Sequence, residues 1–95
     1  MRIFRQPLIF DWDKGNKGKN LQKHKVSNEE CEEVFFDSQK RTLRDELHSV
    51  NESRFILLGK TKNERILFIV FTTRKEKIRV ISARDLNKKE KKLYL

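Results

Sequence analysis

The chain has 95 residues, with 23 lysines and arginines against 14 acidic residues, which gives a formal net charge of +9. That length supports one domain around a single hydrophobic core. Cys31 is the only cysteine, so no intrachain disulfide can form, as is typical of proteins in a reducing cytosol. The longest apolar run, residues 66–71, is too short to span a bilayer, and residues 1–5 lack the apolar stretch of a signal peptide. We expect one cytoplasmic domain, residues 1–95, with no membrane partner.

The charge is divided into blocks along the chain. Residues 14–25 carry five lysines and no acid, and residues 73–95 carry nine basic residues against three acids. Residues 27–52 hold eight acids against three bases. If the fold brings the two basic blocks together, they form a positive surface that attracts nucleic acid through counterion release. Charge alone leaves this interpretation level with a lysine-rich, solvated surface.

The N-terminal part predicts a short strand and a helix. Residues 3–10 form a candidate strand, and Pro7 makes it either an edge strand or the entry to a loop, because proline has no amide donor. Asp13 can cap a helix over residues 14–24. Two glycines weaken this helix, and Leu21 is its one clear apolar anchor.

A second helix is predicted more strongly. Ser27 and Glu30 have the spacing of a capping box, in which each side chain bonds the other residue's backbone amide. Cys31, Val34 and Phe35 then fall on one helical face and are expected to enter the core. We expect this helix to end near residue 37.

The rest of the sequence predicts four strands and a last helix. The candidate strands are residues 42–48, 55–58, 66–72 and 77–82. Their short connections favour an antiparallel meander, and their nearly continuous apolar runs indicate cover on both faces, with the helices on one of them. Asp85 begins the last helix. The predicted fold class is α+β: an antiparallel sheet meander with two N-terminal helices and one C-terminal helix packed on it.

Three ordered blocks of residues resemble one family, the BrnT toxins. The first block comprises Phe10-Asp11-Trp12-Asp13, Lys17, Asn20, Lys23-His24 and Val26-Ser27. The second comprises Asp45, His48, Glu52, Arg54-Phe55 and Gly59. The third comprises Arg79-Val80-Ile81-Ser82-Ala83-Arg84, Glu90 and Tyr94. The match covers nearly the whole chain with similar spacing. Lys25 is a departure, since the family often has glycine there, and a left-handed turn at lysine is strained.

The resemblance implies a RelE-like ribonuclease fold and the activity of a toxin from a type II toxin–antitoxin pair. RNA would be the substrate. A cognate antitoxin, BrnA-like, would neutralise the toxin in a hetero-oligomer, and operator DNA would be bound only through that complex. Direct DNA binding by this chain is a weaker hypothesis, because the sequence has no helix-turn-helix pattern.

RNA can be cleaved without a metal when the 2′-hydroxyl attacks the adjacent phosphate, given an acid, a base and cations for the developing charge. Arg79 and Arg84 are the candidate cations, because a guanidinium matches two phosphate oxygens at once. On a regular strand they point to opposite faces, so they share a site only if the strand ends near Ser82. For Arg79, phosphate binding is slightly favoured over the role of an exposed sheet residue.

His24 and Lys23 complete the candidate catalytic set. Histidine exchanges protons near neutral pH, but His24 alone is better explained as a helix C-terminal residue beside the last carbonyls. When the resemblance is considered as well, an acid or base role and a helix-terminal role for His24 are about equally favoured. Lys23 could stabilise charge or act as a base, although a solvated lysine is commoner. His48, near Asp45, is interpreted as structural.

Four further residues are expected to contact RNA: Trp12, Lys19, Ser82 and Lys88. Trp12 could stack on a base, and it is at least as well explained as the core anchor of the first helix.

Metal and covalent routes are not favoured by the sequence. The two histidines and the cysteine, at positions 24, 31 and 48, lack zinc-site spacing, and the acids at 29–33 are typical of a helix start. No glycine-rich phosphate loop or serine-hydrolase motif is present. We expect no metal and no cofactor. The alternative to an enzyme is a non-catalytic module of the same fold that binds RNA or the antitoxin.

Overall fold

The structure, a computed structural model, describes residues 7–94 and confirms the predicted α+β fold. Four antiparallel strands form one sheet in the order β1-β2-β3-β4. They are β1 (Arg41–Arg44), β2 (Phe55–Lys60), β3 (Ile66–Arg74) and β4 (Lys77–Asp85). The helices are α1 (Lys19–His24), α2 (Asn28–Val34) and α3 (Lys88–Tyr94), with a short 3-10 turn at Glu46–His48. No helix within residues 7–94 is long and apolar enough to cross a membrane.

Helix α2 begins and packs as the sequence predicts. The Ser27 side chain accepts from the Glu30 amide at 3.1 Å, and the Glu30 carboxylate accepts from the Ser27 amide at 3.0 Å. Cys31, Val34 and Phe35 are all buried in the main core. The core therefore lies between α2 and one face of the sheet.

Helix α3 lies on the opposite face, whereas the sequence suggested that one face holds all the helices. Side chains alternate along β2, so Leu57 belongs to the main core while its neighbour Leu58 packs with Leu86 and Tyr94. The Tyr94 hydroxyl donates to Asp37 at 2.6 Å and so ties α3 to the segment after α2. Burial and this bond raise the pKa of Tyr94 to about 12.

Helix α1 begins five residues later than predicted. Gly18 has φ +74°, a left-handed conformation that a continuous helix does not contain. Asp13 instead closes a tight turn, where its carboxylate accepts from the Gly15 amide at 2.8 Å. The predicted anchor was also wrong: Leu21 is 54% exposed, and Asn20, 3% exposed, is the buried side chain. Lys25 ends the helix with φ +58°, the left-handed turn that the family comparison suggested.

Helix α1 and the segment before it cover the outer edge of β4. Ile78 donates to Ile9 and accepts from Asp11, and the Asn20 side chain accepts from the Ala83 amide at 2.9 Å. These bonds satisfy backbone groups that an edge strand would otherwise expose. In the described part of the predicted first strand, residues 7–9 are not in a strand and Phe10 forms only an isolated bridge, to Ile78, while residues 3–6 lie outside the described part. The predicted strand 42–48 is shorter, ending at residue 44 before the 3-10 turn.

Candidate functional site on the open face of the sheet

Part of the sheet face opposite α2 is left uncovered by α3, and we call it the open face. Its strand residues are Ile56 of β2, Val70, Thr72 and Arg74 of β3, and Arg79, Ser82 and Arg84 of β4, with Arg54 just before β2. Alternation assigns them, because their neighbours Phe55, Leu57, Ile69 and Phe71 all belong to the main core.

A β-bulge brings the two predicted arginines to this face. Val70 pairs with Ser82 while the next residue, Phe71, pairs with Val80, so β4 carries one extra residue at Ile81. An extra residue reverses the alternation beyond it. Strand β4 continues past Ser82 to residue 85, contrary to the condition set from the sequence, yet Arg79 and Arg84 share one face because of the bulge.

Arg79 is held by two acids from the segment before α1. Its two terminal nitrogens each lie 2.9 Å from an oxygen of Asp13, and Asp11 is 3.5 Å away. This bonding lowers the pKa of the Asp13 carboxyl and raises that of the Arg79 guanidinium. The Asp13 carboxylate therefore already accepts from both terminal nitrogens of Arg79. A carboxylate presents two oxygens to a guanidinium in the way that a phosphate does.

Arg84 is engaged in a similar way. Its guanidinium forms two bonds of 2.7 Å to Glu90 and lies 4.2 Å from the centre of the Phe68 ring. The bonds to Arg84 lower the pKa of the Glu90 carboxyl, and the same bonds raise the pKa of the Arg84 guanidinium. The third arginine, Arg74, is paired with Glu52 at 2.9 and 3.0 Å.

Arg54 differs from these three arginines. Its backbone is well bonded, since its amide donates to the Ser49 hydroxyl at 3.0 Å and its carbonyl accepts from the Asp45 amide at 2.8 Å. Among residues 7–94, however, no carboxylate forms an ion pair with its guanidinium. Of these four arginines, Arg54 is thus the one whose fork is available to an anion.

A cavity of about 330 Å³ lies at the middle of the open face. Its lining residues are Asp45, His48, Arg54, Ile56, Phe68, Val70, Ile81 and Ser82. A second cavity of about 510 Å³ shares His48 and Arg54 and continues toward Glu52 and Arg74. The two adjoining cavities together form what we call the depression, in which polar side chains lie beside apolar ones.

His48 is oriented by an acid in this depression. Its Nδ1 lies 2.9 Å from Asp45 Oδ2, and the Asp45 side chain is only 12% exposed, compared with 64% for His48. The sequence alone predicts a structural role for His48, and Arg54 enters only through the resemblance. The family resemblance is the feature of the sequence that could have indicated this site, because Asp45, His48 and Arg54 all belong to its second block.

The remaining predicted residues lie away from the cavity. Trp12 packs against the main core and donates to Glu32 of α2 at 2.7 Å, which is the anchor role. The His24 carbonyl accepts from Arg65, whose guanidinium also binds Asp85 at the end of β4. Six residues of strand separate that end from Arg79, or about 20 Å at about 3.3 Å per residue.

Three lysines occupy the helices beside this end of β4. Lys19 and Lys23 are exposed on α1, and Lys88 is exposed at the start of α3. The structure thus brings Ser82 to the same face as the two arginines and leaves Lys23 and His24 at the Arg84 end of the strand, away from Arg79. Within residues 7–94, no three His, Cys, Asp or Glu side chains are grouped as metal ligands would be.

Comparison with known proteins identifies the family. No protein of curated function matches the chain. A family model described as the ribonuclease toxin BrnT of a type II toxin–antitoxin system matches residues 12–90, most of the chain and all four strands. The resemblance seen in the three blocks is confirmed, and the chain belongs to the BrnT family of ribonuclease toxins.

Proposed function

We propose that this protein is an endoribonuclease toxin that cleaves RNA without a metal ion, on the open face of the sheet. The observation that carries the proposal is the bulge in β4, which brings Arg79, Ser82 and Arg84 to one face of the sheet, where Ser82 lines the cavity. The family supplies the class of reaction, and this arrangement supplies cations where a bound phosphodiester needs them.

The proposed reaction is attack of the 2′-hydroxyl on the adjacent phosphate. It forms a 2′,3′-cyclic phosphate and releases a 5′-hydroxyl, so it needs proton transfer and charge stabilisation but no external nucleophile. Arg79 and Arg84 stabilise the developing negative charge after RNA phosphates replace Asp13 and Glu90 as their partners. Ser82, between them, donates a hydrogen bond to the bound RNA.

The basic helices extend the binding surface at one end of the face. Lys19, Lys23 and Lys88 contact RNA phosphates that lie beyond the cleaved bond, and His24 serves as an acid or base only at the Arg84 end. Trp12 contributes by fixing the segment that carries Asp13, since its own ring is packed against the core.

The partner proposed for this toxin is a cognate, BrnA-like antitoxin. It forms a hetero-oligomer by covering the open face, and operator DNA is bound only through that complex. The toxin acts in the cytoplasm, where RNA and antitoxin are both present.

The experiment compares RNA cleavage by the parent protein, Arg79→Ala and the control Arg41→Ala, which removes an exposed arginine of the edge strand β1. We expect cleavage by the parent and the control, and at least a hundredfold loss in Arg79→Ala, with all three proteins folded at the assay temperature. Full activity in folded Arg79→Ala would contradict the role of Arg79.

A binding module without catalysis is the second candidate, because Arg79 and Arg84 are each already paired with a carboxylate. Expression in a bacterial host separates the two. A ribonuclease arrests growth and the Arg79→Ala variant does not, whereas a module that only binds leaves growth unchanged in both.

A further inference from the structure

We infer that His48 is the general base for the 2′-hydroxyl, that Asp45 positions its ring, and that Arg54 binds the phosphate being attacked. This inference rests on the proposed function and names the proton-transfer group that the proposal leaves open. It is carried by the geometry of the depression in which these side chains meet.

The ring of His48 is oriented by its contact with Asp45. Asp45 is a carboxylate acceptor at 2.9 Å from Nδ1, so Nδ1 carries the proton and Nε2 of the neutral ring is left with a lone pair. Asp45 is itself held, because its amide donates to the Arg54 carbonyl and its carbonyl accepts from the Ser49 hydroxyl. An acid that orients an imidazole in this way is the arrangement by which enzymes aim a histidine base.

Arg54 stands beside His48 with an available guanidinium. Both residues line both cavities. The turn that carries them is closed at the Arg54 end, where the Ser49 hydroxyl accepts from the Arg54 amide. The other charged groups lining these cavities are Asp45, Glu52 and Arg74, and the last two are paired with each other. Among the described residues, a phosphate entering the depression therefore meets one imidazole lone pair and one cation without an ion pair, Arg54, whose charge also helps to lower the pKa of Glu52.

The step balances without a co-reactant. His48 Nε2 takes the proton of the 2′-hydroxyl while O2′ forms a bond to phosphorus. The bond from phosphorus to O5′ breaks, and its electron pair goes to O5′, which takes a proton from solvent. The imidazolium then returns its proton to solvent, so the net reaction converts one phosphodiester into a cyclic phosphate and a 5′-hydroxyl.

His24 is the other histidine of this chain and gives the comparison for His48. Its backbone carbonyl is bound by Arg65, and it lies on exposed α1 at the far end of β4, away from the depression. If any histidine near RNA sufficed for cleavage, His24→Ala and His48→Ala would have similar effects. The inference expects them to differ.

The test measures single-turnover cleavage of a mixed-sequence RNA by the parent, by His48→Ala, His48→Gln, Asp45→Asn and Arg54→Ala, and by His24→Ala and the control Gln39→Ala. We expect His48→Ala and His48→Gln to lose about 10²–10⁴-fold in rate, the scale of a removed general base. His24→Ala, at the Arg84 end of the face, should lose less rate than either His48 variant, and the control Gln39→Ala, which removes an exposed side chain between α2 and β1, should match the parent. Free imidazole should restore part of the rate of His48→Ala and none of that of Arg54→Ala, a result that a structural role would not produce. Asp45→Asn should lower the rate at an unchanged melting temperature.

The outcomes separate this inference from the proposed function. No cleavage by the parent contradicts both. Cleavage by the parent with a fully active His48→Gln, or with a folded, inactive His48→Ala that imidazole does not restore, overturns the inference alone and leaves the ribonuclease assignment intact.

Discussion

Gly59 of β2 fixes how closely α2 can approach the sheet, and its replacement by alanine gives a sharp test of this fold. A Cβ added there would stand 2.6 Å from Val34 Cγ1 and 3.2 Å from the Val34 carbonyl oxygen. Ordinary carbon contacts lie at about 3.5–4.0 Å, so α2 must move outward by about 1 Å. Val34 is fully buried and β-branched, which leaves its side chain little freedom to turn away.

The expected cost of Gly59→Ala is that of overpacking a well-filled core, about 1–3 kcal/mol. For a domain of this size that lowers the melting temperature by about 4–8 °C for each kcal/mol. Val34→Ala alone should also destabilise, by about 1.5–3 kcal/mol, through lost burial and the cavity left behind. The double variant should lose less free energy of unfolding than the sum of the two single variants. Val34→Ala removes the Cγ1 atom that the new Cβ of Gly59→Ala would contact.

The assay is urea unfolding of the parent, the two single variants and the double variant, which together form a double-mutant cycle. We expect a favourable coupling of at least about 0.5 kcal/mol between Gly59→Ala and Val34→Ala. Additive costs, or a Gly59→Ala protein as stable as the parent, would refute the contact between α2 and β2 described above.

Three other outcomes are expected. Arg65 bonds to groups of α1, α2 and β4. In urea unfolding, Arg65→Ala should therefore lower the free energy of unfolding by about 2–3 kcal/mol, and Arg65→Lys should lower it by less. Equal stability of the parent and both variants would contradict this. Arginine partners lower the pKa of Asp85 and Glu90, so the unfolded chain binds more protons at low pH. The urea midpoint should therefore be highest above about pH 5 and fall as the pH drops below about 4, and a midpoint that stays constant would count against these pairs. Charge reversal at Glu29 and Glu33 should not weaken RNA binding in an anisotropy assay, because both belong to α2 on the covered face; a marked loss would mean that the RNA surface is misplaced.

Local patterns predicted much of the fold. The capping box at Ser27 and the apolar spacing after it specify α2 by themselves, because each contact lies within the helix or on its buried face. The strands were visible from their apolar runs for the same reason. Their ends were less certain: β4 runs three residues beyond the predicted limit, since its edge is satisfied by Asn20 from a helix 63 positions away in sequence.

The errors arose where distant residues decide a local structure. Gly15 and Gly18 were counted as weak helix formers, but one allows a tight turn beside Arg79 and the other adopts a left-handed conformation. Leu21 suggested an anchor by hydrophobicity, while hydrogen bonding to the β4 edge buries a polar residue instead.

The candidate site followed the same rule. The two arginines of β4 could be found from their strand, but the bulge that aligns them depends on β3 pairing. Their carboxylate partners come from other segments, so no spacing in the sequence indicated that both are neutralised. Arg54 and His48 lie in a polar, irregular stretch, and only the sheet places them over the same cavity.

The most direct test of the central claim is cleavage of RNA by the purified protein in EDTA, with analysis of the product ends. The account predicts undiminished cleavage that leaves 2′,3′-cyclic phosphate and 5′-hydroxyl ends. Cleavage that requires added Mg²⁺, or that leaves 5′-phosphate ends, would contradict a metal-free attack by the 2′-hydroxyl.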